Sequence, residues 1–126
     1  MCSVSDADKL QSSYSQVDEN VKLAIVEALG KIDADFSEFY ISILDDENED
    51  IRKEVLSALL HDNKELASEA AANLFKGDRS WLVRYKALEI LSTIKPEGYK
   101  DLLREGLETD DSKYVKEKIQ SILDAI

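Results

Sequence analysis

A chain of 126 residues, 44% hydrophobic and 34% charged, can bury one shared core beneath a heavily charged surface. Its formal net charge of −11 opposes nucleic-acid binding, which depends on Lys and Arg displacing counterions from phosphates. A single cysteine, Cys2, excludes an internal disulfide, and one Pro and four Gly leave few enforced breaks, which favours helices joined by short turns.

In chain order, Asp6 to Val17 reads as a short opening helix carrying Leu10, Tyr14 and Val17. Val21 to Ile32 follows as the first core-lining helix. Asp35 to Leu44 carries Phe36, Phe39, Tyr40, Ile43 and Leu44, with Asp35 and Glu38 spaced as a capping box. Ile51 to Asp62 is the second core-lining helix and ends near His61–Asn63. Lys64 to Lys76 carries Leu66, Ala67, Ala70, Ala71, Leu74 and Phe75, with Gly77 as its stop. Val83 to Ile94 is the third core-lining helix. Pro96 opens the next at its first turn, ahead of Tyr99, Leu102, Leu103 and Leu107, and Val115 to Ile126 is the fourth core-lining helix.

The four core-lining segments align without gaps, their starts 30, 32 and 32 residues apart. Positions i, i+4, i+7, i+8 and i+11 make one helical stripe in each. They read Val21, Ile25, Ala28, Leu29, Ile32; Ile51, Val55, Ala58, Leu59, Asp62; Val83, Ala87, Ile90, Leu91, Ile94; and Val115, Ile119, Ile122, Leu123, Ile126. Asp62 alone is polar. Three residues before each start stands Asp18, Asn48, Ser80 or Ser112, all favoured N-caps. Gly30 and Gly106 mark either close helix approaches or positions where glycine is simply tolerated. The outward positions of the last helix are polar (Glu117, Lys118, Gln120, Ser121, Asp124), as the closed end of a stack requires, so a monomer is expected.

These segments resemble HEAT and HEAT-like repeats of the phycobilin-lyase type. The resemblance rests on the pattern Asp, four residues, Val-Arg, five residues, Ala-Leu, and covers about residues 16–126. Asp46, Asp78 and Asp110 each stand five residues ahead of Ile51, Val83 and Val115, whereas the first unit has Gln16 there. The basic position is Lys22, Arg52, Arg84 and Lys116. The resemblance implies an all-α, right-handed α-α superhelix of four stacked hairpins, with units at about 6–32, 35–62, 64–94 and 97–126. It also implies that each basic residue of this ladder pairs with the Asp of its own or an adjacent unit, a role in alignment more than in net stability.

Trp81 and Tyr85 share a helix face that is not the stripe. The other units place Glu19, Glu49 and Lys113, or Leu23, Lys53 and Glu117, at these positions, which predicts exposure. Large aromatics at otherwise charged sites are interface material, with Leu82 and Tyr114 extending the patch and Arg79 and Lys86 flanking it. The competing reading folds Trp81 back onto a neighbouring turn. A second candidate surface is the acidic run Asp45, Asp46, Glu47, Glu49 and Asp50, placed in the half (residues 1–63) that carries −10 against −1 for the rest. It is not a calcium loop: neither register supplies the glycine at the sixth position and glutamate at the twelfth.

One histidine, His61, and one cysteine support no catalytic triad or zinc cluster, and no glycine-rich phosphate loop occurs. The expected function is a non-catalytic protein-binding scaffold or adaptor without cofactor or metal. The alternative is an acidic immunity protein or inhibitor of a basic toxin or enzyme, followed by a bilin lyase-like protein, for which no chromophore site is visible. Met1 to Leu10 carries no basic segment ahead of an apolar run, and no run suffices to span a bilayer, so a cytoplasmic location is expected, with no membrane partner.

Overall fold

The computed structural model describes residues 4–32 and 34–126; Cys2 lies outside them. The described residues form eight α-helices and no strand: α1 (Val4–Ser13), α2 (Glu19–Leu29), α3 (Ser37–Ser42), α4 (Glu49–Asp62), α5 (Lys64–Gly77), α6 (Trp81–Ile94), α7 (Tyr99–Thr109) and α8 (Lys113–Asp124). A 3-10 turn at Tyr14–Gln16 links α1 to α2. Each odd-numbered helix packs on the even-numbered helix that follows it, and α2, α4, α6 and α8 pack on one another in a row. The result is a helical-repeat solenoid whose core lies along that row.

Local chemistry sets the helix starts. Asp18 accepts the Val21 N–H at 3.0 Å, Asn48 accepts those of Asp50 and Ile51 at 2.8 and 3.3 Å, and the Ser112 hydroxyl accepts that of Val115 at 3.4 Å. Each such cap contributes about 1 kcal/mol. Ser80 holds the same position in α6, but its hydroxyl donates to the Glu49 carboxylate of the preceding pair and makes no cap bond. Asn63 both ends α4 and caps α5, taking the Leu66 N–H at 3.1 Å.

The stripe is the core. Ile25, Val55, Ile90 and Ile119 are buried, with their companions Leu29, Leu59 and Leu91. Two stripe residues are exposed, and Ala28, Ile94, Ile122 and Leu123 are only half-buried. Val21 is 43% exposed, because α2 stands first in the row and no earlier core-lining helix covers its first turn. Ile126 is 58% exposed, because α8 ends at Asp124 and the residue no longer follows the helical register. Asp62, the polar member, turns its buried carboxylate to the start of α3 and accepts the Phe36 N–H at 3.1 Å.

The core also has a side beyond the stripe. Val26, Leu56 and Leu88, at i+5 of successive helices, are fully buried. At roughly 100° per residue, i+5 lies about 140° from the stripe's first residue, beyond i+8 at about 80° and i+1 at about 100°. The basic ladder position is i+1, so around the helix Arg52 falls between Leu59 and Leu56, on the side where it meets Asp78 of the next pair. In α8 the i+5 residue is Gln120, and it is exposed.

Two boundary expectations need correction, and the open question at the two glycines is resolved. The third helix spans only Ser37–Ser42; Asp35 accepts the N–H and hydroxyl of Ser37 in a tight turn, instead of forming a capping box with Glu38. Pro96 lies ahead of α7, not inside its first turn. Its carbonyl accepts the Tyr99 N–H at 3.1 Å across a turn that needs Gly98 at φ 81°. Of the two glycines, only Gly106 marks a close approach: a Cβ there would lie 2.5 Å from the Phe75 ring, whereas one at Gly30 would make ordinary contacts.

Candidate protein-binding surface

The turns entering α4, α6 and α8 share one construction. Asp46, Asp78 and Asp110 each accept the backbone N–H two residues on, from Asn48, Ser80 and Ser112, at 2.9, 2.8 and 2.9 Å. Each carboxylate also meets the basic residue of the preceding pair. Lys22 reaches Asp46 at 3.4 Å; Arg52 forks onto Asp78 with Nε and Nη2 both at 2.9 Å; Arg84 forks onto Asp110 at 2.9 and 3.2 Å. Each arginine also ties down its own turn: Arg52 Nη1 donates to the carbonyls of Asp46 and Glu47, and Arg84 Nη1 to that of Asp78. Arg84 adds an outer contact to Asp111 at 2.9 Å. Lys116 makes no ion pair among the described residues.

The aromatic residues come together at the α6–α8 step. Trp81 is 38% exposed and stacks on Tyr114, 55% exposed, with centroids 5.0 Å apart and planes 27° apart. Tyr85 and Trp81 pack edge-to-face with centroids 6.3 Å apart. Trp81 therefore contacts a neighbouring turn and still presents a face to solvent. Glu49 at the equivalent position of α4 binds Ser80, and Glu19 in α2 binds the Asn48 amide at 2.9 Å, so an aromatic stack replaces a polar link at this step. Lys113 lies over the Tyr114 ring at 5.8 Å and Lys118 over the Tyr85 ring at 6.0 Å. Arg79 donates to the Glu47 carbonyl. Leu82, Tyr85 and Lys86 line a groove of ≈ 430 Å³ that continues across Asp50, Glu54 and Leu23.

The acidic run is partly consumed. Asp46 is taken by Lys22, Asn48 and the Tyr14 hydroxyl, the last at 2.6 Å; Glu49 holds Ser80; Asp50 pairs with Lys53 at 3.3 Å. Asp45, Glu47 and Asp50 are the members left exposed. His61 is exposed at the end of α4, 3.2 Å from Asp62. Among the described residues no group of acidic, His or Cys side chains is arranged to hold a metal ion, and no helix is long and apolar enough to cross a membrane.

A family model for HEAT repeats matches residues 37–123, the stretch that contains the two Arg–Asp forks and the aromatic step. The chain belongs to the HEAT-repeat family. No curated protein and no solved structure matches it.

The first step of this HEAT ladder differs chemically from the other two. Lysine replaces arginine, and Tyr14, from the turn after α1, adds a hydroxyl to Asp46 while Lys22 lies over its ring at 5.0 Å. Burial and the bond to Asp46 raise the Tyr14 hydroxyl well above its ordinary value. Burial alone would raise the Asp46 carboxyl as well, but the bonds from Tyr14, Asn48 and Lys22 outweigh it and hold the carboxyl below its ordinary value. A depressed carboxylate contributes stability above the unfolded value of about 3.9 and loses it as pH falls through the folded value. Asp46→Asn is therefore expected to be less stable than the parent at pH 7, by a margin that narrows as pH falls below about 3.9. Urea unfolding at pH 7 and pH 3 measures this; an undiminished gap at pH 3 would show that the charge is not what matters.

Proposed function

We propose that this HEAT-repeat chain is a non-catalytic protein-binding scaffold or adaptor. HEAT repeats are commonly protein-interaction scaffolds. The observation that carries the reading for this chain is the half-exposed cluster of Trp81, Tyr85 and Tyr114 at the edge of the groove along α2, α4 and α6. Aromatic side chains that keep a solvent-facing surface in a fixed geometry bring contact area at low entropic cost on binding. Leu82, Arg79 and Lys86 border the cluster and complete the proposed contact surface.

The test begins with cross-linking and mass spectrometry to identify the natural partner, followed by calorimetry with purified components. Trp81→Ala and Tyr85→Ala are each expected to weaken binding by about 2 kcal/mol, near thirtyfold. Unchanged affinity in both would remove this surface from the reading. An affinity that responded instead to neutralising Asp45, Glu47 and Asp50 would support the acidic inhibitor of a basic protein.

A further inference from the structure

The sign of charge on the even-numbered helices reverses between α4 and α6. Around the start of α4 stand Glu47, Glu49, Asp50 and Glu54, against Lys53, which Asp50 already engages. At the matching positions α6 carries Arg79, Trp81, Leu82, Tyr85 and Lys86, and α8 carries Lys113, Tyr114 and Lys118 together with Glu117 and Asp111, the latter held by Arg84. The position held by Glu54 in α4 is thus Lys86 and Lys118 in the next two helices.

These cations differ from those of the ladder. Arg52 and Arg84 are forked onto carboxylates and serve the fold. Arg79, Lys86, Lys113 and Lys118 have no carboxylate within ion-pair distance among the described residues. Two of them lie over the rings of the aromatic cluster. A stack that only glued two pairs of helices together would need no such rim. Cations held in no ion pair around an apolar centre are the complement of a ligand with carboxylates around an apolar anchor.

We infer that the Trp81–Tyr85–Tyr114 cluster docks an acidic peptide segment, one that places an apolar side chain on the aromatic rings and carboxylates against Lys86, Lys113 and Lys118. The partner's charge is thus the opposite of what the net charge of −11 would suggest. The inference rests on the scaffold reading and adds to it the chemistry of the partner. Phosphate oxygens of nucleic acid would meet the same lysines, but Glu89 and Glu117 on the same two helices and the negative field of the whole chain oppose a polyanion more than a short peptide.

Trp81 is the only tryptophan, so its emission reports directly on the cluster. Three probes would be titrated into the full chain: a short peptide of alternating Glu and Leu with a central Phe, its Lys-for-Glu counterpart, and a short oligo-dT. The Glu peptide is expected to shift Trp81 emission and to bind more weakly as salt rises. The double variant Lys86→Glu/Lys118→Glu, checked for folding by circular dichroism, should bind it about tenfold or more less tightly. Should that variant lose helicity, Lys86→Gln and Lys118→Gln separately would serve, each with a smaller loss. Tighter binding of the Lys peptide or of oligo-dT would overturn the assignment. So would concentration-dependent dimerisation abolished by the double variant, which would make a second copy the occupant. If no probe shifts Trp81 emission the acidic-segment assignment fails, while the scaffold reading is still decided by its own test with the natural partner.

Discussion

Arg52→Ala is expected to lower the free energy of unfolding by about 3–5 kcal/mol, the range for removing one partner of a buried ion pair. The side chains of Arg52 and Asp78 are only 3% and 4% exposed. Without the guanidinium, the Asp78 carboxylate keeps the Ser80 N–H but loses both charged bonds, and the carbonyls of Asp46 and Glu47 lose a shared donor. Arg52→Lys should recover only part of the loss, because one ammonium cannot fork onto a carboxylate and also reach two carbonyls. The chain contains that comparison already: Lys22 makes its rung at 3.4 Å with a side chain 23% exposed. Replacing an isolated buried pair by apolar groups is often nearly neutral. Here Arg52→Met/Asp78→Leu should stay destabilised, since the two carbonyls and the Ser80 N–H would remain to be satisfied. Urea unfolding of the three variants tests the account; a loss below about 1 kcal/mol for Arg52→Ala would show that the rung is not coupled to folding.

The repeat, its register and most helix starts are legible in the sequence because they depend on local periodicity and on caps three residues away. What sequence does not display is where a polar side chain finds its partner. Asp46 and Asp50 look alike in the acidic run, yet one is bonded to Tyr14 and Lys22, far back along the chain, and the other stays at the surface. Glu49 likewise binds Ser80 in the next pair. Composition reads all of these as surface charge, so the acidic patch is smaller than it looks. For Trp81, exposure and contact with a neighbouring turn read as alternatives in sequence, and the stack on Tyr114 satisfies both at once. Asp62 breaks the stripe for a reason found only in three dimensions, at the start of α3.

The sequence also carries Val26, Leu56 and Leu88 at a fixed place in three helices, and Gln120 ends the series. The series marks the side of each core-lining helix that turns toward the next pair, beside the ladder residue. It gives α2, α4 and α6 an apolar flank for the pair that follows each, and gives α8 a polar one.

Leu88→Ala follows from that series and is expected to cost about 2–5 kcal/mol, the cost of deleting a fully buried leucine where the cavity closes incompletely. Relaxation is limited here, because α6 is packed against α4, α5 and α8 at once. The loss should also appear in the shape of the transition. In a stack where each pair is stabilised through its neighbours, a weakened third pair loosens the coupling of α7 and α8 to the rest, so the urea transition should broaden as well as shift. Gln120→Leu at the matching place on α8 provides the control: that side chain is exposed, and the change should stay within about 0.5 kcal/mol. If the two substitutions had equal effects, or if Leu88→Ala cost less than about 1 kcal/mol, the i+5 positions would not be part of the buried interface between successive pairs.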